Sequence, residues 1–167
     1  TNQSFYYERS LKIGDQVIAC DEICEEFSLK SFIILSDFAG SGKSYVLRNF
    51  SQKLMGKYDD TWTSFIDLKN YTNIFKNNSI VTEDFLEFVA KNFLDCQNEF
   101  EKNFFKFLYK NGRVRLIFDA FDEICPDYGS IVLNLLQKFE RNSGNQILIG
   151  TRKYFQINLE SQLENLE

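Results

Sequence analysis

The chain has 167 residues, with 19 Lys and Arg against 24 Asp and Glu for a formal net charge of −5, and 44% of it is hydrophobic and 16% aromatic. With no His at all, Ser-His-Asp triads, Cys-His pairs, HExxH zinc sites and imidazole pH switches are excluded; the acidic balance argues against a basic nucleic-acid-binding face, and the apolar content is too high for a disordered chain. One domain with a sizeable core is expected.

In residues 1–31, Leu11, Ile13, Val17, Ile18, Ile23 and Phe27 suit a packed helix-and-turn lead-in, and residues 32–167 read as the core. Cys20 and Cys24 would share one face of a helix. They find no second Cys pair or His to complete a zinc site, so with Cys96 and Cys125 they read as reduced, mostly buried thiols. That points to a cytoplasmic protein. No segment has the 18 or more apolar residues of a membrane span, and TNQSFYYERS has no signal-peptide pattern.

Residues 32–36 (FIILS) form a short apolar run bounded by Gly, the pattern of a buried strand. Residues 43–55 carry Val46, Leu47, Phe50 and Leu54 at helical spacing. Residues 62–68 (WTSFIDL) are a second strand, 82–95 a helix with Thr82 as N-cap, and 98–110 a helix with Phe104, Phe105, Phe107 and Leu108. Residues 114–119 (VRLIFD) are a third strand, 129–141 a further helix, and 146–151 (QILIGT) a fourth strand. Strands alternating with helices imply an α/β fold with a parallel sheet. In such sheets ligands sit beyond the carboxyl ends of the strands, so the residues following each apolar run carry the chemistry.

After the first strand comes Asp37-Phe38-Ala39-Gly40-Ser41-Gly42-Lys43-Ser44, running into a helix. It matches the phosphate-binding pattern GxxxxGK[ST], except that Asp37 stands where the first Gly belongs. Glycines let the amides of Gly40, Ser41 and Gly42 turn inward around a phosphate, and the helix N-terminus adds its dipole. Lys43 would neutralise phosphate oxygens and the Ser44 hydroxyl would ligate Mg²⁺. Asp37 can cap backbone amides, but it also adds negative charge near a phosphate.

The strand Leu116-Ile117-Phe118 ends in Asp119-Ala120-Phe121-Asp122-Glu123. An apolar strand closing on Asp beside a phosphate loop is suited to organising Mg²⁺ through Asp119. A following acid can orient or deprotonate water, and Asp122 and Glu123 are both candidates. The alternative is a strand end whose acids only face solvent. The strand Ile147-Leu148-Ile149-Gly150 delivers Thr151 and Arg152 to the same sheet edge, where Arg152 can read a γ-phosphate or simply pair with a neighbouring acid.

Taken together, AGSGKS, the Trp62-containing strand, LIFDAFDE and ILIGTR resemble the NACHT family of P-loop NTPases, the signal-transduction ATPases that include the NOD-like receptors. The resemblance covers roughly residues 30–155, and its most specific part is Asp119-Ala120-Phe121-Asp122-Glu123. It implies a three-layer P-loop fold with an extra strand between the loop strand and the Asp119 strand. The family's last strand would lie beyond Glu167. It also implies binding of ATP (or GTP) with Mg²⁺ and slow hydrolysis, with Arg152 as the γ-phosphate sensor. Nucleotide state would act as a switch of conformation and oligomerisation in an innate-immune type of receptor. The expected partners are the nucleotide, other domains of a longer chain and further copies of the full protein, with no nucleic-acid or membrane signal. A nucleotide kinase on the same scaffold would need an Arg-rich lid, and residues 124–145 supply only Arg141. A scaffold working through protein contacts alone is the other reading.

Overall fold

The computed structural model describes residues 11–13, 16–18, 24–25, 27, 30–76, 84–139 and 144–164. Expectations placed on Thr82, Cys20, Ile23 and Arg141 lie outside them. Two short strands, β1 (Leu11–Ile13) and β2 (Gln16–Ile18), pair antiparallel. The main unit then runs β3 (Phe32–Asp37), α1 (Lys43–Lys57), β4 (Trp62–Asp67), a 3-10 turn (Leu68–Tyr71) and α2 (Thr72–Lys76). It continues with α3 (Phe85–Phe88), which passes into a π-helical turn (Val89–Phe93), then α4 (Glu99–Lys110), β5 (Val114–Asp119), α5 (Phe121–Gln137), β6 (Gln146–Arg152) and α6 (Lys153–Glu164).

The four main strands form one parallel sheet in the order β3-β6-β5-β4. β6 therefore lies between the loop strand and the Asp119 strand. All six residues of β5 are buried, as expected of a strand covered on both faces. Alternate residues supply two cores. Ile117 and Leu148 pack with Leu47, Phe50 and Leu54 of α1 on one face. Leu116, Phe118, Ile147 and Ile149 pack with residues of α4 and α5, among them Phe105, Leu135 and Leu136, on the other. The result is an α/β fold of three layers.

The second core is rich in aromatic rings. Phe93 meets Tyr71, Phe88 and Phe118 edge-on at centroid distances of 4.9, 5.4 and 5.8 Å, a favoured geometry for ring quadrupoles. α3 and α4 are joined by Glu87, whose carboxylate meets Lys106 at 2.7 Å and Lys102 at 3.0 Å. Hydrogen bonds from Lys106 first and Lys102 second lower the Glu87 pKa to about 2.

At the amino end of the sheet, Arg115 of β5 is buried beside its register partner Gln146. Its Nε donates to Gln146 Oε1 at 2.6 Å, its Nη1 donates to Thr61 Oγ1 at 3.1 Å, and its guanidinium lies 3.9 Å from the Tyr58 ring centroid. Gln146 Nε2 donates in turn to the Phe27 carbonyl. Burial lowers the Arg115 pKa from its ordinary value.

Three sequence expectations need correction. Residues 11–13 and 16–18 form a small antiparallel pair, not a helix and turn. The described part of the 82–95 helix starts at Phe85, where Asp84 accepts the Glu87 amide at 3.0 Å. α5 begins at Phe121, not at residue 129, and carries Pro126 inside it. The lost N–H of Pro126 removes a single intrahelical bond, and burial of Phe121 and Ile124 holds the first turns in place. Cys24 and Cys96 are buried and Cys125 is half-buried. Among the described residues, no helix is long and apolar enough to cross a membrane.

Candidate functional site

The carboxyl ends of β3, β5 and β6 gather most of the residues singled out in the sequence. Gly40 and Gly42 have φ of 75° and 84°, left-handed conformations that glycine adopts without strain. Gly42 caps α1, and its carbonyl accepts the Tyr45 and Val46 amides, both at 3.1 Å. The loop thus turns into a helix whose first amides lack intrahelical partners, an arrangement suited to anions.

Lys43 Nζ bends back and donates to the carbonyls of Phe38 at 2.9 Å and Asp37 at 3.2 Å. The Asp37 carboxylate accepts the Phe38 amide at 2.7 Å, so this acid caps the loop from its base. Ser41 Oγ is buried without a hydrogen-bond partner. Ser44 is exposed in the first turn of α1.

Asp119 is 3% exposed, and its Oδ2 has no hydrogen-bond partner. A buried carboxylate oxygen left unpaired is costly, and a hydrated cation would satisfy it. The Asp119 carboxylate borders Gly150 of β6: a Cβ there would sit 3.2 Å from Asp119 Oδ1 and 2.5 Å from Leu47 Cδ1. With no Cβ at Gly150, the Leu47 side chain of α1, one turn beyond Lys43, and the Asp119 carboxylate both pack against β6 at this point. Ala120 then takes φ 62° and caps α5. That left-handed conformation costs a non-glycine residue about 1–2 kcal/mol, and it turns the chain directly into the helix bearing Asp122 and Glu123.

These two acids occupy different environments. The Asp122 side chain is 5% exposed and is held by Arg152, whose Nε lies 2.8 Å from Asp122 Oδ2. The Glu123 side chain is 45% exposed and meets Lys69 at 3.7 Å. Arg152 ends β6 directly opposite Asp37 in register, and its Nη1 donates to the Tyr154 hydroxyl at 3.3 Å. The Tyr154 hydrogen bond first, and Asp122 after it, raise the Arg152 pKa further. Thr151 is buried with its Oγ1 unpartnered. Phe38, Ala39, Arg152, Lys153 and Tyr154 line a cleft of about 380 Å³ beside the loop.

The sequence reading missed Asp67, Lys69 and Tyr154. Asp67 closes β4 as Asp119 closes β5, and the two are register partners; Arg48 of α1 reaches Asp67 at 3.8 Å. An apolar run ending in Asp was a visible signal for Asp67. Nothing in the sequence marked Lys69 or Tyr154, which come into place only through the 3-10 turn after β4 and the start of α6.

No protein-family model matches the chain, and no curated protein matches it significantly.

Proposed function

We propose that this domain binds a nucleoside triphosphate, ATP in the first instance, together with Mg²⁺, hydrolyses it slowly, and uses the bound state as a switch in a cytoplasmic signalling protein of the NACHT type. One observation carries the reading. A glycine loop with left-handed Gly40 and Gly42 runs into α1, and this helix packs against the strand edge where Asp119 buries an unpaired carboxylate oxygen.

The donor set fits the ligand. The amides of Gly40, Ser41 and Gly42 with the Lys43 ammonium would hold phosphate oxygens. The Ser44 hydroxyl and Asp119 supply the hard oxygen ligands that Mg²⁺ prefers. When bound, Mg²⁺ supplies charge neutralisation at the phosphates. Lys43 already sits over the loop, its ammonium held by the Asp37 and Phe38 carbonyls. Asp122 is engaged by Arg152, which leaves Glu123 as the acid with freedom to orient a water. Arg152 would then exchange its Asp122 contact for a γ-phosphate oxygen, so the Asp122–Arg152 pair is the element whose state a nucleotide biases. A scaffold without turnover is the second reading, favoured by the same two contacts: Lys43 is tied to loop carbonyls and Arg152 to Asp122.

A thermal-shift titration with ATP, ADP, GTP and GDP, with and without Mg²⁺, tests the proposal. A ligand specific for the folded state adds about 2.7 kcal/mol at 100-fold excess over its Kd. The expected result is a Mg²⁺-dependent rise with triphosphate that Lys43→Ala abolishes. Glu123→Gln should keep the rise and lower hydrolysis by about 100-fold or more. No rise with any nucleotide, or one indifferent to Lys43→Ala, would overturn the reading.

A further inference from the structure

At the amino end of the sheet, opposite the phosphate loop, α4 turns Phe100, Phe104 and Phe107 toward solvent, and Phe100 and Phe107 are 77% and 58% exposed. Phe104 and Phe107, with Met55 and Trp62, wall an open groove of about 560 Å³. Isolated apolar side chains on a surface are ordinary, but a contiguous aromatic patch marks an interaction site.

The groove runs along the start of β4, the outer strand of the sheet among the described residues. The Trp62 amide donates to the Arg113 carbonyl at 2.8 Å. Because strand groups alternate in direction, the main-chain groups of Thr63 and Phe65 point away from β5. No backbone hydrogen bond from the described residues engages them. Thr63 lines the groove, and its buried Oγ1 also has no partner.

Asp59 and Asp60 stand exposed on the rim. Arg113 meets Asp60 at 3.8 Å, while Asp59 has no ion-pair partner among the described residues. The site thus offers an apolar pocket, a row of main-chain donors and acceptors, and an acid.

We infer that this groove receives an extended peptide segment of a partner protein, paired with the outer edge of β4, with one bulky apolar side chain in the pocket and a Lys or Arg against Asp59. An extended segment supplies the main-chain partners that a docked helix would not. The pocket takes one or two side chains, and the acidic rim favours a basic partner over a second copy of a chain whose net charge is −5.

The test is a display selection of random dodecapeptides on the intact chain, followed by fluorescence anisotropy with the strongest peptide and amide hydrogen exchange. The expected peptides combine an aromatic or large aliphatic residue with Lys or Arg, and they protect the Thr63 and Phe65 amides. Phe107→Ser and Asp59→Lys, both at exposed positions, should each weaken binding by about tenfold or more without moving the melting temperature. The proposal is overturned by the absence of any consensus, by an acidic consensus, by protection confined to other strands, or by equal binding to both variants. A concentration-dependent dimer that Phe107→Ser dissolves would overturn it too, by making the occupant a second copy.

Discussion

The two ends of β5 each bury a charge, and they treat it differently. Arg115, near the amino end, has neutral hydrogen-bond partners in Gln146 and Thr61, the Tyr58 ring beneath its guanidinium, and the charge of Asp60 nearby. Asp119, at the carboxyl end, keeps one buried oxygen with no partner. The same strand, buried along its whole length, thus carries a cation whose hydrogen bonds join segments and a carboxylate with one oxygen left unpaired. Buried polar groups are normally paired, so the orphan is the one that points to a ligand. Left-handed glycines stand at both ends, Gly40 and Gly42 at one and Gly112 and Gly144 at the other, so the backbone feature particular to the Asp119 end is Ala120, a non-glycine residue held at φ 62°.

The largest expected effect is at the satisfied end. Arg115→Ala removes a side chain that links the α1–β4 turn to β6, and it leaves Gln146 Oε1 without its donor. The stability loss should be about 3 kcal/mol, read as a lower midpoint in urea, with the nucleotide response kept in the folded fraction. A loss below about 1 kcal/mol would mean that Arg115 is not a structural tie, and the contrast between the two ends would fail.

The opposite sign is expected at Asp119. Asp119→Asn keeps the shape and discards the buried charge, so the ligand-free protein should become more stable by about 1–2 kcal/mol. The same variant should lose the Mg²⁺-dependent part of the nucleotide response. Destabilisation of the ligand-free protein would show that Asp119 has a structural partner after all. A smaller effect should follow Asp122→Asn, which breaks the 2.8 Å pair with Arg152. Freed from that acid, Arg152 should turn to the phosphate, and triphosphate should bind several-fold more tightly in isothermal titration. Weaker binding would show that the pair positions Arg152 instead of restraining it.

Much of this architecture was legible in the residues. The apolar runs that became β3, β5 and β6 are short, continuous and rich in β-branched residues, and burial on both faces of a parallel sheet requires that composition. The loop and the acids after Phe118 were placed correctly at one sheet edge, because the position of ligands beyond strand ends depends on topology alone. The start of α5 was not legible. Pro126 and Gly129 punctuate the sequence like a loop, whereas packing of Phe121 and Ile124 overrides them. The division of labour between Asp122 and Glu123 was also hidden, since it depends on Arg152 reaching back from β6. Arg115 was conspicuous as a charge within VRLIFD, but its partner Gln146 follows from strand register, which no local pattern carries.

The smallest effect calibrates the other charges, because it concerns a pair that is neither buried nor orphaned. Glu87 bridges Lys102 and Lys106 across α3 and α4, and its pKa falls from 4.5 to about 2 in the folded chain. Above pH 4.5 the carboxylate is ionised in both folded and unfolded states, and the pair contributes in full. As the pH falls below that value the unfolded chain takes up the proton first, so the contribution shrinks, and it is gone near pH 2. Other carboxylates titrate in the same range, so the informative quantity is the difference between the native chain and Glu87→Gln. That difference in melting temperature should be greatest near neutral pH, close between pH 4.5 and 2, and shrink in 0.5 M salt, which partly screens a half-buried surface contact. A difference independent of both pH and salt would mean that Glu87 holds α3 to α4 by packing of its stem and not by its charge. The aromatic face of α4 would then depend on the core beneath it alone.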